Sequence, residues 1–409
     1  MRILVLNAGS SSQKTCLYEI GDSLPPEPPE PLWEGKVQIS GDRAEVHATN
    51  SSGISIEDHI GVRPQTGSSS VAQALGELWS GKAREAGPPA SVDAAVHRIV
   101  NGGPDYRDPA LVTPGVKSAI ARMASSAPLH NATELAGIEF VEKRFGGIPQ
   151  VAVFDTGFHK TLPEAAYVYP GPYGWLLQGI RRYGFHGINH RYCAERAAQL
   201  LAADLTALRI VTCHLGNGCS LAAVAGGKSV DTTMGFTPLE GLMMGTRSGS
   251  IDPGLLLHLM RQGSTGPELD EMLNEKSGLL GISGLSSDMR EIVSAMKAGN
   301  ARARLAFDIF THRLRSSIGA MIATLGGLDA LVFTGGIGEN SAEVRQAACA
   351  NFGFLALALD PALNERAAAD CDIAAASSAV RVLVIRAQED WVMATEAWRL
   401  TSSRARTAP

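Results

Sequence analysis

Four side chains in this 409-residue chain stand where small-molecule chemistry could be done. Arg98 lies near the end of an apolar strand pattern, DAAVHRIV (Asp93–Val100), and Asp155 follows directly on QVAVF (Gln150–Phe154). His186 sits in RRYGFHG (Arg181–Gly187), and Arg247 in a loop between Thr246 and Ser248-Gly249. Arginine presents a planar fork of donors that suits phosphate or carboxylate. A carboxylate just past a strand suits magnesium or catalysis, though an aspartate there also caps helices well. Upstream of Arg247 runs His214-Leu215-Gly216-Asn217-Gly218, whose glycines let backbone N–H groups approach phosphate oxygens. A glycine turn and a loop arginine in one stretch, Ile210–Gly249, point to phosphoryl transfer.

The elements that must position these groups read as an α/β chain. Ile210–Cys213 and Ser220–Ala225 are apolar runs around the glycine turn and predict a hairpin. Arg2–Leu6 and Lys14–Ile20 repeat that pattern around Asn7-Ala8-Gly9-Ser10-Ser11-Ser12. Two such hairpins suggest an internal duplication; the alternative is two ordinary hairpins. Pro25–Pro31 is an extended proline-rich loop, and Lys36–Ile60 carries short strand-like runs. Val71–Ala86 has helical spacing. The pair His97-Arg98 has two readings: an edge strand with a solvated arginine, or an arginine aimed into a cleft at a strand's end. Val112–Ser125 predicts a helix, Ala127–Asn131 a break, and Ala132–Phe145 its resumption. Helices are expected at His190–Ala203, Asp252–Arg261, Glu268–Leu280 and Ala301–Leu325. Leu328–Phe333 is a strand feeding Gly335-Gly336-Ile337-Gly338-Glu339-Asn340, a glycine turn in a nucleotide-site context that matches neither the Walker nor the dinucleotide spacing. Val380–Ile385 is the last strand; a helix to Leu400 follows, and Thr401–Pro409 reads as a disordered tail.

Composition narrows the classes. The length favours two domains. Hydrophobic content of 45% and charged content of 19% fit a folded globular protein. Thirty-six basic against 41 acidic residues give −5, which offers nucleic acid nothing. Six scattered cysteines without a C-x-x-C pair argue for a reducing compartment and against zinc or a disulfide framework. No apolar run reaches membrane-spanning length, and Met1–Leu6 is a strand, not a signal peptide; a cytoplasmic protein without membrane partners is expected.

In their order, these motifs resemble the acetate kinases from Met1 to about Leu400. The resemblance is carried by NAGSSS (Asn7–Ser12), HRIVNGG (His97–Gly103), APLHN (Ala127–Asn131), FDTGFH (Phe154–His159) and RRYGFHG. HLGNG, GFTPLEGLMMGTRSG (Gly235–Gly249), DMR (Asp288–Arg290) and FTGGIGEN (Phe333–Asn340) complete it. It implies the fold of the acetate and sugar kinase, heat-shock chaperone and actin superfamily: two ribonuclease H-like α/β domains, a duplicated βββαβαβα core, about a central cleft. The boundaries expected are 1–156 with 390–409, and 157–389. It implies magnesium-dependent phosphoryl transfer between ATP and acetate, giving ADP and acetyl phosphate, in a homodimer, with manganese as the alternative metal.

Residue by residue, the resemblance makes Asn7 and Glu389 the magnesium site and Lys14 a contact to the ATP phosphates. Arg98 would hold the substrate carboxylate, with Val100, Leu129, Phe185 and Pro238 as the methyl pocket. Asp155 corresponds to the active-site aspartate, and His186 and Arg247 to the transition-state stabilisers. His214, Leu215, Gly216, Asn217 and Gly218, then Asp288, Met289 and Arg290, then Gly336, Ile337, Gly338, Glu339 and Asn340, are the three ATP-binding segments. Two places depart from the family pattern: Gly249-Ser250-Ile251-Asp252, where the family usually has an acidic residue after the loop glycine, as in G-D-I-D-P, and AQEDW (Ala387–Trp391), where T-N-E-E is commoner. A carboxylic acid is already ionised at neutral pH and needs no general base, so Asp155 is expected to hold magnesium or orient groups. Two rivals remain: a propionate or butyrate kinase of the same superfamily, and a non-catalytic ATP switch of the actin or chaperone type.

Overall fold

A computed structural model describes residues 1–8, 12–40, 43–61, 75–123 and 128–405. The chain forms two compact units: Met1–Gly157 with Gln388–Pro409, and Phe158–Ala387.

The first unit is built on an eight-stranded sheet in the order β5-β4-β3-β2-β1-β6-β8-β7. Its strands are β1 (Arg2–Ala8), β2 (Ser12–Glu19), β3 (Trp33–Ser40), β4 (Arg43–Asn50), β5 (Ser55–Gly61), β6 (Ala94–Ile99), β7 (Ala110–Leu111) and β8 (Gln150–Phe154). β1 to β5 form an antiparallel meander, whereas β1, β6 and β8 run parallel. The parallel strands are buried on both faces, which explains near-continuous apolar runs such as Ile3–Leu6 and Val151–Phe154. β4 instead alternates exposed and buried residues, as a one-faced antiparallel strand should.

The second unit repeats the plan in a six-stranded sheet, β11-β10-β9-β12-β14-β13. Its strands are β9 (Arg209–Leu215), β10 (Cys219–Ala225), β11 (Lys228–Thr232), β12 (Ala330–Thr334), β13 (Cys371–Asp372) and β14 (Arg381–Val384). The order β11-β10-β9-β12-β14 matches β3-β2-β1-β6-β8, with the antiparallel and parallel pairings in the same places. The duplication is therefore a property of topology rather than of letters.

Several local expectations differ from the structure. Pro128–Asn131 belongs to the described helix Pro128–Phe145 rather than to a break, and residues 124–127 lie outside the described residues. Glu268–Leu280 is not one helix: Gly266–Asn274 ends, and Gly278, at φ 63°, starts a separate turn, Gly278–Ser283. The helix Met289–Lys297 was not expected, although its buried Met289, Ile292, Val293 and Met296 have helical spacing. β11 was also missed. The last helix, Glu389–Ala405, runs five residues past Leu400, so Thr401–Ala405 is ordered chain; residues 406–409 lie outside the described set. Of Val71–Ala86, residues 71–74 lie outside it too, 75–80 are helical and Lys82–Ala86 is a 3-10 turn.

Candidate functional site

In the first unit the carboxyl ends of the three parallel strands bring polar residues to one edge of the sheet, where ligands of α/β sheets bind. Asn7 ends β1, Arg98 lies at the end of β6, and Asp155 follows β8. Because β6 runs between β1 and β8, Arg98 is not on an edge strand. Strand alternation sends His97 and Arg98 to opposite faces. His97 is fully buried, bonds Gln150 Oε1 at 2.7 Å, and burial lowers its pKa to about 4; it is a neutral packing group. Arg98 donates from Nη2 to Asp155 Oδ2 at 2.8 Å, with side chains only 13% and 1% exposed. Burial opposes the arginine's charge, but Asp155, Glu389 and Glu134 more than offset it, so its pKa is raised.

Glu134 was missed by sequence reading. It projects from the helix Pro128–Phe145, is 2% exposed, and accepts the Val100 N–H at 2.7 Å. Burial pushes its pKa up to about 8, against the lowering effects of the Val100 N–H and of Arg98. Val100, assigned to the methyl pocket, is buried beside it in sequence with Ile99. The side chain of Leu129 lies outside the described residues.

Asn7 and Lys14 are cross-strand partners in the β1–β2 hairpin. Both reach the start of the last helix. Asn7 Nδ2 donates to Asp390 Oδ1 at 2.8 Å and to Glu389 Oε2 at 3.4 Å. Lys14 Nζ pairs with Asp390 at 2.9 Å and Glu34 at 3.4 Å. Burial works against the lysine's charge, yet Asp390 and its neighbours hold its pKa above the usual value. Asp390 is thus a hub that the motifs did not single out; its adjacency to Glu389 was the available signal. Glu389 Oε1 is buried without a hydrogen-bond partner among the described residues. An amide oxygen and carboxylates are hard donors, and magnesium takes only one or two protein carboxylates besides phosphate and water. The residues fit that ion. Among the described residues no group of three or more His, Cys, Asp or Glu is arranged to hold a metal unaided.

In the second unit the analogous hairpin, β9–β10, holds His214 at its end. His214 and His186 stack, with ring centroids 4.1 Å apart and planes 20° off parallel. His186 caps the helix Gly187–Leu200 in the left-handed region, at φ 55°, ψ 24°. Gly184, at φ 77°, makes the preceding turn; a Cβ there would lie 2.6 Å from the His159 ring. His159 donates Nε2–H to the Phe185 carbonyl at 3.0 Å, anchoring the backbone beside His186, and Phe185 itself is 1% exposed.

Arg247 comes from the long loop after β11. Backbone bonds hold that loop: Ser277 N to Thr246 O at 2.9 Å, Leu279 N to Met244 O at 2.9 Å and Ser248 N to Leu273 O at 3.0 Å. The helix break at Gly278, overlooked in the sequence, is therefore what grips the arginine's loop. Gly245 N donates to Asn217 O at 3.0 Å, tying the loop to the glycine turn. Arg247 Nη1 reaches Pro238 O at 3.3 Å. A Cβ placed on Gly218 would lie 3.5 Å from both Arg247 Nη1 and the His186 ring. His186, His214, Gly218, Arg247 and Pro238 therefore converge.

The other nucleotide segments are less gathered. Gly335–Asn340 is a short helix leaving β12, not an open turn. Gly335, at φ 76°, donates its N–H to Glu339 Oε1 at 2.9 Å, and Asn340 Nδ2 bonds Gly336 O at 2.9 Å. Buried Arg345, absent from the sequence reading, donates to the Gly338 and Glu339 carbonyls at 2.9 and 2.8 Å and finishes that helix. Asp288 accepts the Arg290 N–H at 2.8 Å, capping Met289–Lys297, and the Arg290 guanidinium pairs with the same carboxylate. Met289 is buried below them.

Two anion-handling sets thus occupy corresponding edges of the two sheets. Arg98 and Lys14 are cations held against carboxylates in one; Arg247 and two histidines frame a glycine turn in the other. Such sets can bind phosphate and carboxylate groups and stabilise charge that develops on them.

The Acetokinase family model matches residues 2–395. An acetate kinase of Gloeobacter violaceus is 58% identical over 407 residues, covering 98% of this chain and 99% of its own. One of Trichormus variabilis is 56% identical over 404 residues, with 98% and 99% covered. Among solved structures, acetate kinase of Porphyromonas gingivalis is similar at TM-score 0.86 and 39% identity, covering 98% of this chain and 99% of its own. A propionate kinase of Francisella tularensis reaches TM-score 0.85 at 36% identity, with 97% and 99% covered.

Proposed function

The chain belongs to the acetokinase family, a carboxyl-acceptor phosphotransferase family, and on that premise we propose that it transfers the γ-phosphoryl group of ATP to acetate, reversibly, by direct in-line displacement. The observation that carries the reading is the convergence of His186 and Arg247 on the Gly218 turn. The acceptor is an ionised carboxylate, so no proton has to be removed from it. The difficulty is bringing one anion to another. Arg98 is assigned to the carboxylate; Lys14 in the first unit and the His214–Gly218 turn in the second are each assigned to nucleotide phosphate. His186 and Arg247 donate to the equatorial oxygens as charge spreads over them. Gly336–Asn340 and Asp288–Arg290 are assigned to the remainder of the nucleotide. Asp155 holds Arg98 in place, an orienting role that its 2.8 Å contact supports.

Asn7, Glu389 and Asp390 would hold magnesium, or manganese in its place; when bound, the ion supplies positive charge to the nucleotide phosphates. Val100, Leu129, Phe185 and Pro238 are assigned to the methyl group. Such a pocket rejects an extra methylene only by a factor of ~10 to 200. Acetate as the preferred acceptor is tested by hydroxamate trapping of the acyl phosphate with acetate, propionate and butyrate in parallel. Highest kcat/KM with acetate supports the assignment, and a preference for propionate or butyrate replaces the acceptor. ATP hydrolysis without any trapped product would instead favour a nucleotide switch.

A homodimer completes the reading. The helix Pro253–Arg261 buries none of its residues within the chain and exposes Leu255, Leu257 and Met260, apolar side chains that a second copy could cover. Sedimentation at micromolar concentration would test it. No described helix is long and apolar enough to cross a membrane, and the six cysteines are free. Both facts suit the cytoplasm assigned here.

A further inference from the structure

Behind His186 lies a continuous line of side chains that the reaction does not itself use. β9 and β10 pair so that Ser220 faces His214 and Ala222 faces Thr212. Strand alternation puts Thr212, His214, Ser220 and Ala222 on one face of the sheet. Ala222 packs there with Cys193, Ala194 and Ala197 of the helix Gly187–Leu200. That helix begins with His186 and carries His190 one turn later, so both rings point at the same two strands. His186 Nδ1 meets Ser220 Oγ at 2.8 Å, and the same Oγ meets His190 Nε2 at 2.7 Å. His190 Nδ1 meets Thr212 Oγ1 at 2.7 Å, and Thr212 Oγ1 donates to the Ala222 carbonyl at 3.5 Å.

The hydrogens in this line can be placed one after another. We place the single Thr212 hydroxyl proton on the Ala222 carbonyl, 3.5 Å away, because that is the one partner of Thr212 Oγ1 that can only accept. Thr212 Oγ1 must then accept from His190, which puts a proton on His190 Nδ1. His190 is fully buried, and its pKa is held well below the ordinary value by burial first, and then by His159 and His214, so it carries one proton only. Its Nε2 is therefore bare and accepts the Ser220 hydroxyl proton. Ser220 Oγ, having given that proton away, accepts from His186 Nδ1.

We propose that Ser220 and His190 form a relay that keeps a proton on Nδ1 of His186 and leaves Nε2 as the nitrogen that gains or loses a proton toward the substrate phosphoryl group. Both are positioning residues, and the inference rests on the transition-state role given to His186 above. The arrangement accepts the imidazolium as readily as neutral imidazole, because the Nδ1 proton stays where it is in both. It also offsets the strained left-handed backbone of His186, which the His190 N–H supports from the same helix at 2.9 Å to the His186 carbonyl. Among the described residues, groups that face His186 include the stacked His214 from β9, His190 at 6.4 Å from its own helix, Ser220 from β10 and Arg247 from the long loop. His159, from the turn after β8, faces His190 at 5.8 Å.

The test uses the full-length enzyme labelled with 15N-histidine. Long-range 1H–15N spectra should show His186, identified by its loss in His186→Gln, with its proton on Nδ1. In Ser220→Ala the ring should become a mixture of tautomers, and the basic limb of the kcat profile should move to lower pH, because the charged ring has lost an acceptor. Turnover should fall ~10- to 100-fold, as for loss of an outer partner of an active group, with KM values close to those of the parent. A His186 proton on Nε2 in the parent enzyme overturns the relay without any variant being needed. So does a parental profile in Ser220→Ala when His186→Gln is deeply impaired. If His186→Gln itself stays within threefold of the parent, the role of His186 fails instead, and the spectra still report on the relay.

Discussion

Arg98 and Asp155 form an ion pair of 2.8 Å between the ends of adjacent parallel strands, with the carboxylate 1% exposed. Register places them together: Arg98 pairs with Val153 across β6 and β8, two residues short of Asp155. Removing one partner of such a pair takes from the other a buried opposite charge at 2.8 Å. Arg98→Ala should therefore cost about 3–5 kcal/mol of stability, and raise KM for the carboxylate more than it lowers kcat. Urea unfolding and steady-state kinetics on the same preparation would check both. An unchanged acetate KM would take Arg98 out of carboxylate binding.

Arg247 gives a different expectation, because its charge is wanted most when the phosphoryl group is in flight. Arg247→Ala should lose at least ~100-fold in kcat with a modest change in KM, as for loss of one transition-state donor. Its loop is held by backbone bonds to residues 273–279, so folding should survive. Turnover within threefold of the parent would exclude it from the mechanism.

Glu134 should make stability depend on pH. Its pKa rises from 4.5 to about 8 on folding. A raised pKa means that the folded state holds the proton more tightly, so this contribution is complete below pH 4.5 and is lost as pH climbs through 8. Glu134→Gln keeps an acceptor for the Val100 N–H but cannot ionise. The difference in Tm between variant and parent should grow in favour of the variant from pH 5 to 8. A constant difference would mean Glu134 is ionised throughout.

The start of the last helix should govern metal dependence. Glu389→Gln should raise the magnesium concentration giving half-maximal activity by ~10- to 100-fold, with little change in Tm. Titrating magnesium at saturating ATP would measure it. An unaltered magnesium requirement would remove Glu389 from the metal site.

Gly184 should tolerate no side chain. Alanine there would take a left-handed φ of 77° and put Cβ 2.6 Å from the His159 ring. Gly184→Ala should cost about 1–3 kcal/mol and loosen the Phe185–His186 backbone, so kcat should fall along with Tm. A Tm equal to the parent's would refute the clash.

Much of this protein is local and was therefore determined by the sequence itself. The apolar runs of β1, β8, β9 and β12 are strands because nothing else buries them on both faces, and the glycine turns and capping residues sit beside them in the chain. Family membership was legible for the same reason, since its motifs are contiguous. The ribonuclease H-like duplication was only suggested by two similar hairpins; the matching strand orders establish it, and strand order is a matter of long-range pairing. Tertiary structure alone decided the partners. His97 and Arg98 look alike in the sequence, yet pairing of β6 on both sides makes one a packing group and the other an ion-pair donor. Glu134 and Arg345 carry no local signal, and Asp390 only its adjacency to Glu389, because what marks each is a contact made far along the chain or by burial. The His186–Ser220–His190–Thr212 line is of that kind too. Its residues come from a helix and two strands, and only the alternation of β9 and β10 beneath that helix puts their polar atoms within 2.8 Å of one another.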